Sequence, residues 1–484
     1  MTLRSTSTGI TAAGAATTTA PRLRRALGTP SLVLFGLVYM VPLTIFTTYG
    51  IVTELTGGRV STAYAITLLA MAFTARSYAR MAGAFPYAGS AYVYSQRSFG
   101  PGVGFLSGWA LMLDYLFLPM INYLVIGIYL NAAFPAIPEW AFVLITIAVV
   151  SVLNIIGIVS IARVNFVIIA VQGIFIVAFI ALSFGTISGG TADLAAPFTG
   201  DGSVGGVGVL FAGAALLALS FLGFDSISTL AEEAKDPVRS VPRAIMITTG
   251  IAGVMFIVIA WFSQMSFPSN EFSDVDAGGL DVMAAAGGEF LTIFFTAAYI
   301  AGATGSALTS QASVSRILYA MGRDGVLPRV IFGRISPRFQ TPVTAILIVS
   351  GLSLFAVFID LGLLVEMISF GALFAFSIVN LCVIKHYYID RRERSAAALL
   401  SNLVLPLIGF VFMFWLLTSL PPRAFVVGVI WIAAGVVLLA VTTRGFRRAV
   451  PMLDLSEVAT EKSDETSAEK SAERTPAPSA DAAS

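Results

Sequence analysis

The chain has 484 residues, of which 57% are hydrophobic and only 11% are charged, and its formal net charge is +1. Because a soluble domain carries about 25% charged residues, this composition excludes an ordinary soluble protein and favours a chain that crosses a membrane many times. The near-neutral charge excludes a nucleic-acid-binding surface, and the single cysteine, Cys382, excludes an intramolecular disulfide.

Polar residues divide the chain into twelve apolar runs, each long enough to be a transmembrane helix. Residues 1–26, rich in Thr and Ala, precede the first run without a cleavage site and predict a disordered cytoplasmic N-terminus. Residues 449–484 predict a disordered cytoplasmic tail, which leaves a twelve-span domain over residues 27–448. The predicted spans are 31–55, 60–80, 102–133, 141–160, 164–186, 207–231, 243–266, 287–321, 342–359, 362–386, 399–419 and 423–442.

The basic residues lie almost entirely on one side of this alternating arrangement. They precede span 1, follow span 12 and occupy the loops after each even-numbered span, whereas the other side holds only Arg59 and Arg423. Cytoplasmic loops carry an excess of Lys and Arg, so the pattern predicts that both termini are cytoplasmic in a multi-pass protein of the cell membrane.

Spans 1 and 6 are interrupted at their centres by proline, glycine and polar residues. The interruption in span 1 covers residues 42–50, and that in span 6 covers residues 220–226. Backbone groups freed at membrane depth are tolerated where they line a buried cavity. A matched pair of interrupted spans therefore predicts the substrate site of a secondary transporter.

Several residues at these interruptions are candidates for contact with a ligand. Hydroxyls beside a break can face a ligand, although Thr also bonds back to its own helix. Aromatic rings there can form a gate or a cation–π surface, although most aromatic residues in spans only pack. The predicted substrate-binding residues are Pro42, Thr44, Thr47, Thr48, Tyr115, Phe221, Gly223, Phe224 and Asp225.

Carboxylates inside spans are the strongest functional candidates, because burial of a charge in lipid is costly. Asp225 lies at the span 6 break and is the first candidate for binding an ammonium group or a proton; the alternative is a helix cap. Asp114 in span 3 is a candidate for coupling or gating. Glu232 and Glu233, at the end of span 6, are candidates for the same role, and the alternative for one of them is a surface ion pair with Lys235.

Enzyme signatures are not found in the sequence. The only histidine, His386, lies at a span end among basic residues, and no metal-binding cluster, phosphate-binding loop or nucleophile elbow occurs. We therefore expect no enzyme activity, no metal and no cofactor.

Four motifs resemble those of the amino acid–polyamine–organocation transporters over residues 27–448. Residues 220–237 resemble the span 6 signature of that family, residues 315–328 its motif at the end of span 8, and residues 85–92 its loop after span 2. Residues 113–122 look closest to the bacterial putrescine importers. The resemblance implies an all-α, leucine-transporter-like fold, in which spans 1–5 and 6–10 form inverted repeats and two further helices follow.

The chain departs from the family pattern at two positions. Amino-acid-transporting members have a Gly-x-Gly pair in the span 1 break, and here Pro42, which has no N–H, occupies that region. Proton-coupled members often have a lysine in span 5, and the matching residue here is Gln172, which cannot carry a charge. Gln172 is therefore a candidate for the coupling or gating position.

The resulting hypothesis is a secondary active transporter that takes up a small amine, putrescine or a related polyamine, by proton symport with alternating access. An amino acid permease or an amino acid/amine exchanger is the alternative. A membrane receptor that senses amines without transporting them is a more distant one. The expected partners are the amine or amino acid, a coupling proton and the lipid bilayer.

Overall fold

The computed structural model describes residues 27–87, 89–157, 161–187, 193–200, 202, 204–323 and 327–445, and the predicted tails lie outside these residues. Within the described part, helices dominate and no strand is formed apart from an isolated bridge. The main helices are α1 (Thr29–Met40), α2 (Tyr49–Thr56), α3 (Val60–Ala84), α4 (Ser90–Phe99), α5 (Pro101–Ala133), α6 (Glu139–Ile156), α7 (Ile161–Ile187), α8 (Val207–Leu217), α9 (Pro237–Ser266), α10 (Gly278–Arg323), α11 (Val343–Ser353), α12 (Leu361–Asp390), α13 (Ala396–Thr418) and α14 (Pro422–Thr442).

Both predicted interruptions are present. In span 1, α1 and α2 are separated by Val41, at a left-handed φ of 53°, and by a single 3₁₀ segment, Pro42–Thr47. In span 6, α8 continues as two 3₁₀ segments, Ala218–Phe221 and Ser226–Glu233, on either side of four residues that form no helix.

The span 6 break is in direct contact with helix α1 through Gly223. This residue has a φ of 135°, which L side chains rarely adopt, and a Cβ there would lie 2.9 Å from the carbonyl oxygen of Gly36 and 2.8 Å from Cγ of Met40. Only glycine allows the span 6 break to approach the end of α1 this closely.

Helix α5 forms the centre of the bundle and contacts α4, α6, α10 and α12. Of the residues in its most apolar stretch, 89% are buried, compared with 22% for the corresponding stretches of α6, α13 and α14. The peripheral helices instead expose apolar side chains such as Ile145, Val177 and Val429, which suit contact with lipid tails.

Ten helices in the described residues are long and apolar enough to cross a membrane, which identifies a multi-pass membrane protein. Two further predicted spans correspond to α3, a helix of 25 residues, and to the shorter apolar helix Val343–Val357.

Three local features differ from the sequence prediction. A further helical segment that starts at Gly278 precedes the predicted start of span 8 at residue 287, where non-helical backbone at Gly287 and Gly288 separates two helices. The loop after span 2 contains α4, a ten-residue helix that the sequence did not indicate. Span 9 ends as a single 3₁₀ turn at Val357, two residues before the predicted boundary.

The start of span 1 is joined to the end of span 6 by backbone hydrogen bonds. The N–H of Leu27 donates to the carbonyl oxygen of Glu233 at 3.0 Å, and the N–H of Lys235 donates to the carbonyl oxygen of Leu27 at 2.9 Å. We call this parallel bridge the Leu27 clip.

Candidate functional site

A small cavity lies between the two breaks and is closed on both sides by helices α5 and α10. Its volume is about 20 Å³, and roughly 10–15 Å³ is needed for one water molecule. In this conformation the cavity therefore accommodates about one water. Its lining residues are Tyr39, Met40, Val41, Thr44, Thr47, Leu118, Ile121, Asn122, Val125, Leu219, Leu222, Tyr299 and Ser306.

Two of the three candidate threonines line this cavity, and their hydroxyls are already engaged. Oγ1 of Thr44 donates to the carbonyl oxygen of Met40 at 2.6 Å, and Oγ1 of Thr47 shares a hydrogen bond of 2.6 Å with the phenol of Tyr299. Thr48 is fully buried but does not line the cavity. A ligand would have to replace or share the hydrogen bonds of Thr44 and Thr47.

A chain of polar groups joins α1, α5 and α10 at the cavity wall. The amide of Asn122 donates to the carbonyl oxygen of Leu118 at 2.8 Å and to Oγ of Ser306 at 3.2 Å. Ser306 in turn donates to the carbonyl oxygen of Tyr39 at 3.1 Å. The sequence analysis did not select these residues or Tyr299, and the only signal for Asn122 was an amide within an apolar span.

Asp225 is buried beside the cavity but does not line it. Its Oδ1 accepts from the N–H of Gly223, and its Oδ2 accepts from the phenol of Tyr115, each at 3.2 Å. The side chain makes no capping bond to the 3₁₀ segment that follows. Asp225 thus holds the span 6 break against α5 and does not act as the helix cap that was its alternative role.

Asp114 is also completely buried, but its carboxylate is placed differently. Neither of its oxygens has a hydrogen-bond partner among the described residues. The next residue, Tyr115, donates to the Asp225 carboxylate. The structure therefore brings Asp114, Asp225 and Tyr115 together.

The candidate aromatic residues of span 6 are packed against other rings. Phe224 lies between Tyr78 and Phe376, with ring-centroid distances of 5.5 and 5.2 Å, and Phe221 packs edge-on against Phe256 at 5.5 Å. Neither ring lines the cavity, so their contact with a ligand would require movement.

A second aromatic cluster closes the cavity on the side of α2. The ring of Phe46 lies 5.2 Å from that of Phe295 and 5.7 Å from that of Phe179, and the phenol of Tyr129 donates to the carbonyl oxygen of Phe46 at 3.0 Å. All four residues are buried. Buried aromatic rings therefore block the cavity on this side.

The remaining candidates lie outside the cavity. Pro42 is buried in the span 1 break, whereas Glu232 is exposed and Glu233 is partly exposed at the end of span 6. Gln172 is 1% exposed, and a side chain added at Gly302 of α10 would collide with its amide and with Val41. Its amide nitrogen and oxygen have no partner within the described residues.

A larger cavity, of about 280 Å³, lies at the end of the bundle beyond α2 and the aromatic cluster. Four carboxylates line it: Glu139, Asp274, Asp276 and Asp360. Burial, with the nearby charges of Asp274 and Asp360, raises the pKa of Asp276 above its usual value. Groups of three or more His, Cys, Asp or Glu that could hold a metal ion do not occur in the described part of the chain.

Comparison with known proteins shows similarity to transporters along almost the whole described region. The family model for amino acid permeases matches residues 28–442. The chain is 40% identical to the low-affinity putrescine importer PlaP of Escherichia coli K12 over 443 residues, which are 89% of this chain and 96% of that protein.

Two more distant relatives are also transporters. The branched-chain amino acid permease BcaP of Bacillus subtilis is 25% identical over 89% of this chain and 95% of its own length. The chloroplastic cationic amino acid transporter 7 of Arabidopsis thaliana is 28% identical over 84% of this chain and 74% of its own length. These relatives are named as permeases and transporters, not as enzymes.

Proposed function

The chain belongs to the amino acid permease family, and from that membership we propose that it imports putrescine or a related polyamine by alternating access. The similarity to the putrescine importer of Escherichia coli, which covers nearly the full length of both proteins, carries this proposal. Membership in a permease family makes the chain a transporter rather than an enzyme.

The span 1 break supports an amine rather than an amino acid as the substrate. Pro42 has no N–H, and the N–H of Thr44 is used by the carbonyl oxygen of Val41 at 2.7 Å. The break therefore offers few amide donors for a substrate carboxylate. An alkylammonium group needs acceptors instead, and the break supplies hydroxyls and carbonyl oxygens.

We place the substrate in the cavity between the breaks once the cavity has widened. Thr44 and Thr47 line it, and the substrate would meet Pro42, Thr48, Phe221, Gly223 and Phe224 of the two breaks only after this widening. Asp225, held by Tyr115, is the carboxylate that balances an ammonium group leaving water.

Amino acid uptake or exchange is the second candidate function, because the more distant relatives include a branched-chain amino acid permease. Competition between labelled putrescine and unlabelled substrates distinguishes the two candidate functions. In proteoliposomes, unlabelled putrescine should suppress uptake of labelled putrescine, whereas branched-chain and cationic amino acids in excess should not. Suppression by an amino acid, with accumulation of that amino acid, would favour the second function.

We further propose twelve spans over residues 27–448, cytoplasmic tails at 1–26 and 449–484, and residence in the cell membrane. The segregation of basic loops supports this topology. A cysteine tag at residue 275 should react with an impermeant reagent in intact cells, whereas a C-terminal tag should react only after permeabilisation. Labelling of both tags from one side would contradict the topology.

Coupling to a proton is also part of the proposal. Because Gln172 cannot titrate, the coupling group would have to be a carboxylate, and Asp114, Asp225, Glu232 and Glu233 are the candidates. Putrescine uptake into vesicles should increase with an inward proton gradient and fall when an ionophore dissipates it. Uptake that follows only the substrate gradient would exclude proton symport.

A further inference from the structure

Asp114 is an exception among the buried carboxylates of this protein. The described residues contain three fully buried acids: Asp114, Asp225 and Glu366. Glu366 accepts two bonds of 2.9 Å from Arg423, and Asp225 accepts from Gly223 and Tyr115. Only the Asp114 carboxylate lacks both an ion-pair partner and a hydrogen bond within the described ranges. An uncompensated buried charge is costly, so the Asp114 carboxyl group must either take up a proton or be paired with a cation during the transport cycle.

The surroundings of Asp114 fit an organic ammonium group. Asp114 is followed by Tyr115, whose phenol donates to the Asp225 carboxylate at 3.2 Å, and Tyr39 lines the adjoining cavity. The Tyr39 hydroxyl also lacks a hydrogen-bond partner among the residues that the structure describes. The region therefore combines two carboxylates with a free phenol oxygen and aromatic rings, all of which attract an ammonium group.

This acidic region continues directly from the cavity. Leu118 lines the cavity and lies one helical turn after Asp114, so the two side chains share a face of α5. Leu222 lines the cavity three residues before Asp225, and Tyr39 lines it as well. The acids thus lie at the cytoplasmic end of the cavity in the proposed topology.

We propose that Asp225 binds the ammonium group that every amine substrate carries and that Asp114 binds the second ammonium group of a diamine, so that Asp114 makes the transporter select divalent over monovalent amines. The inference rests on the proposed function and names its substrate class. The two positive charges of a diamine balance both carboxylates, whereas the single charge of a monoamine leaves Asp114 uncompensated.

The test compares 1,4-diaminobutane (putrescine) with 1-aminobutane, which has the same carbon chain but one ammonium group. The purified full-length protein in lipid nanodiscs is titrated with each amine in displacement of labelled putrescine. In the unaltered protein, putrescine should bind at least tenfold more tightly than 1-aminobutane. Asp114→Asn should reduce the affinity for putrescine at least tenfold without reducing that for 1-aminobutane, so that the ratio approaches one.

Two matched variants separate charge selection from general damage. Asp225→Asn should weaken the binding of both amines, because Asp225 takes part in binding each of them. Glu289→Gln removes a carboxylate exposed on α10 and should leave the ratio unchanged. An unchanged ratio in Asp114→Asn, or an equal loss for both amines, would overturn the proposal. A shift only in the pH dependence of binding would also overturn it, since Asp114 would then carry a proton instead.

Folding of the variants is controlled by thermal unfolding. Asn is isosteric with Asp, and no hydrogen bond of Asp114 is lost, so Asp114→Asn should remain folded. If it does not, Asp114→Glu must keep the ratio and Asp114→Ser must lose it, and the opposite pattern would overturn the proposal. If the unaltered protein neither binds nor imports putrescine, the proposed function fails. If it imports putrescine but the ratio of the two amine affinities does not depend on Asp114, only the present inference fails.

Discussion

Replacement of Gly223 by alanine tests whether contact between the span 6 break and helix α1 is required for transport. The added Cβ would lie 2.9 Å from the carbonyl oxygen of Gly36 and 2.8 Å from Cγ of Met40. The Met40 side chain can move, but the backbone of Gly36 can yield only if α1 shifts. The substitution therefore separates the span 6 break from the end of α1.

Backbone strain and overpacking both contribute to the free-energy cost of Gly223→Ala. A non-glycine residue at a φ of 135° stores about 1–3 kcal/mol of strain, and overpacking of a tight contact costs about 1–3 kcal/mol more. We therefore expect Gly223→Ala to destabilise this conformation by about 2–6 kcal/mol. Even the lower value would reduce the population of this conformation more than tenfold, since each factor of ten corresponds to about 1.4 kcal/mol.

The assay measures uptake of labelled putrescine in cells, normalised to the amount of tagged protein in the membrane, together with thermal unfolding in detergent. Gly250→Ala is the control, because Gly250 lies within α9 and an added Cβ there has no atom within 4 Å. That variant should be neutral or up to about 1 kcal/mol more stable. Normal uptake and unfolding temperature in Gly223→Ala would refute the required contact.

Three other substitutions give separate predictions. Asp225→Asn should lose about two to three decades of apparent affinity or rate, from the about 3–5 kcal/mol of a broken buried charge pair, and near-normal uptake would show that Asp225 does not bind the ammonium group. Thr47→Val should lower stability by about 1–3 kcal/mol because the Tyr299 phenol is left unpaired, and Tyr299→Phe should cost less; equal unfolding temperatures for Thr47→Val and the unaltered protein would contradict this. Because the pKa of Asp276 is raised, its contribution to stability is present at acid pH and is lost as pH rises through that pKa. Asp276→Asn should therefore raise the unfolding temperature at neutral pH, with no gain below about pH 3.9, and a constant difference across pH would contradict the assignment.

The broken helices could be predicted from sequence because their signal is local. Proline, glycine and polar residues within an apolar run identify a break wherever the rest of the span packs. The cavity wall could not be predicted in the same way. Thr47 meets Tyr299, and Asn122 meets Ser306, only because distant spans cross at these points.

The ranking of the two buried acids also required tertiary information. Asp225 ranked above Asp114 because it lies beside a break. In the structure Asp225 accepts hydrogen bonds from two donors, and one of them is the amide of Gly223 in the break itself. Asp114 accepts none within the described residues. Which carboxylate is satisfied depends on the orientation of Tyr115, and neither composition nor spacing encodes that orientation.

The Leu27 clip has a consequence for observing the conformational cycle. Its two hydrogen bonds use only main-chain atoms of residues 27, 233 and 235, so among single substitutions only proline at residue 27 or 235 removes a donor. Because the clip joins the starting end of one broken span to the finishing end of the other, separation of these ends exposes the amides of Leu27 and Lys235 to solvent. Deuterium uptake at these two amides therefore reports opening on this side of the protein without any label or substitution.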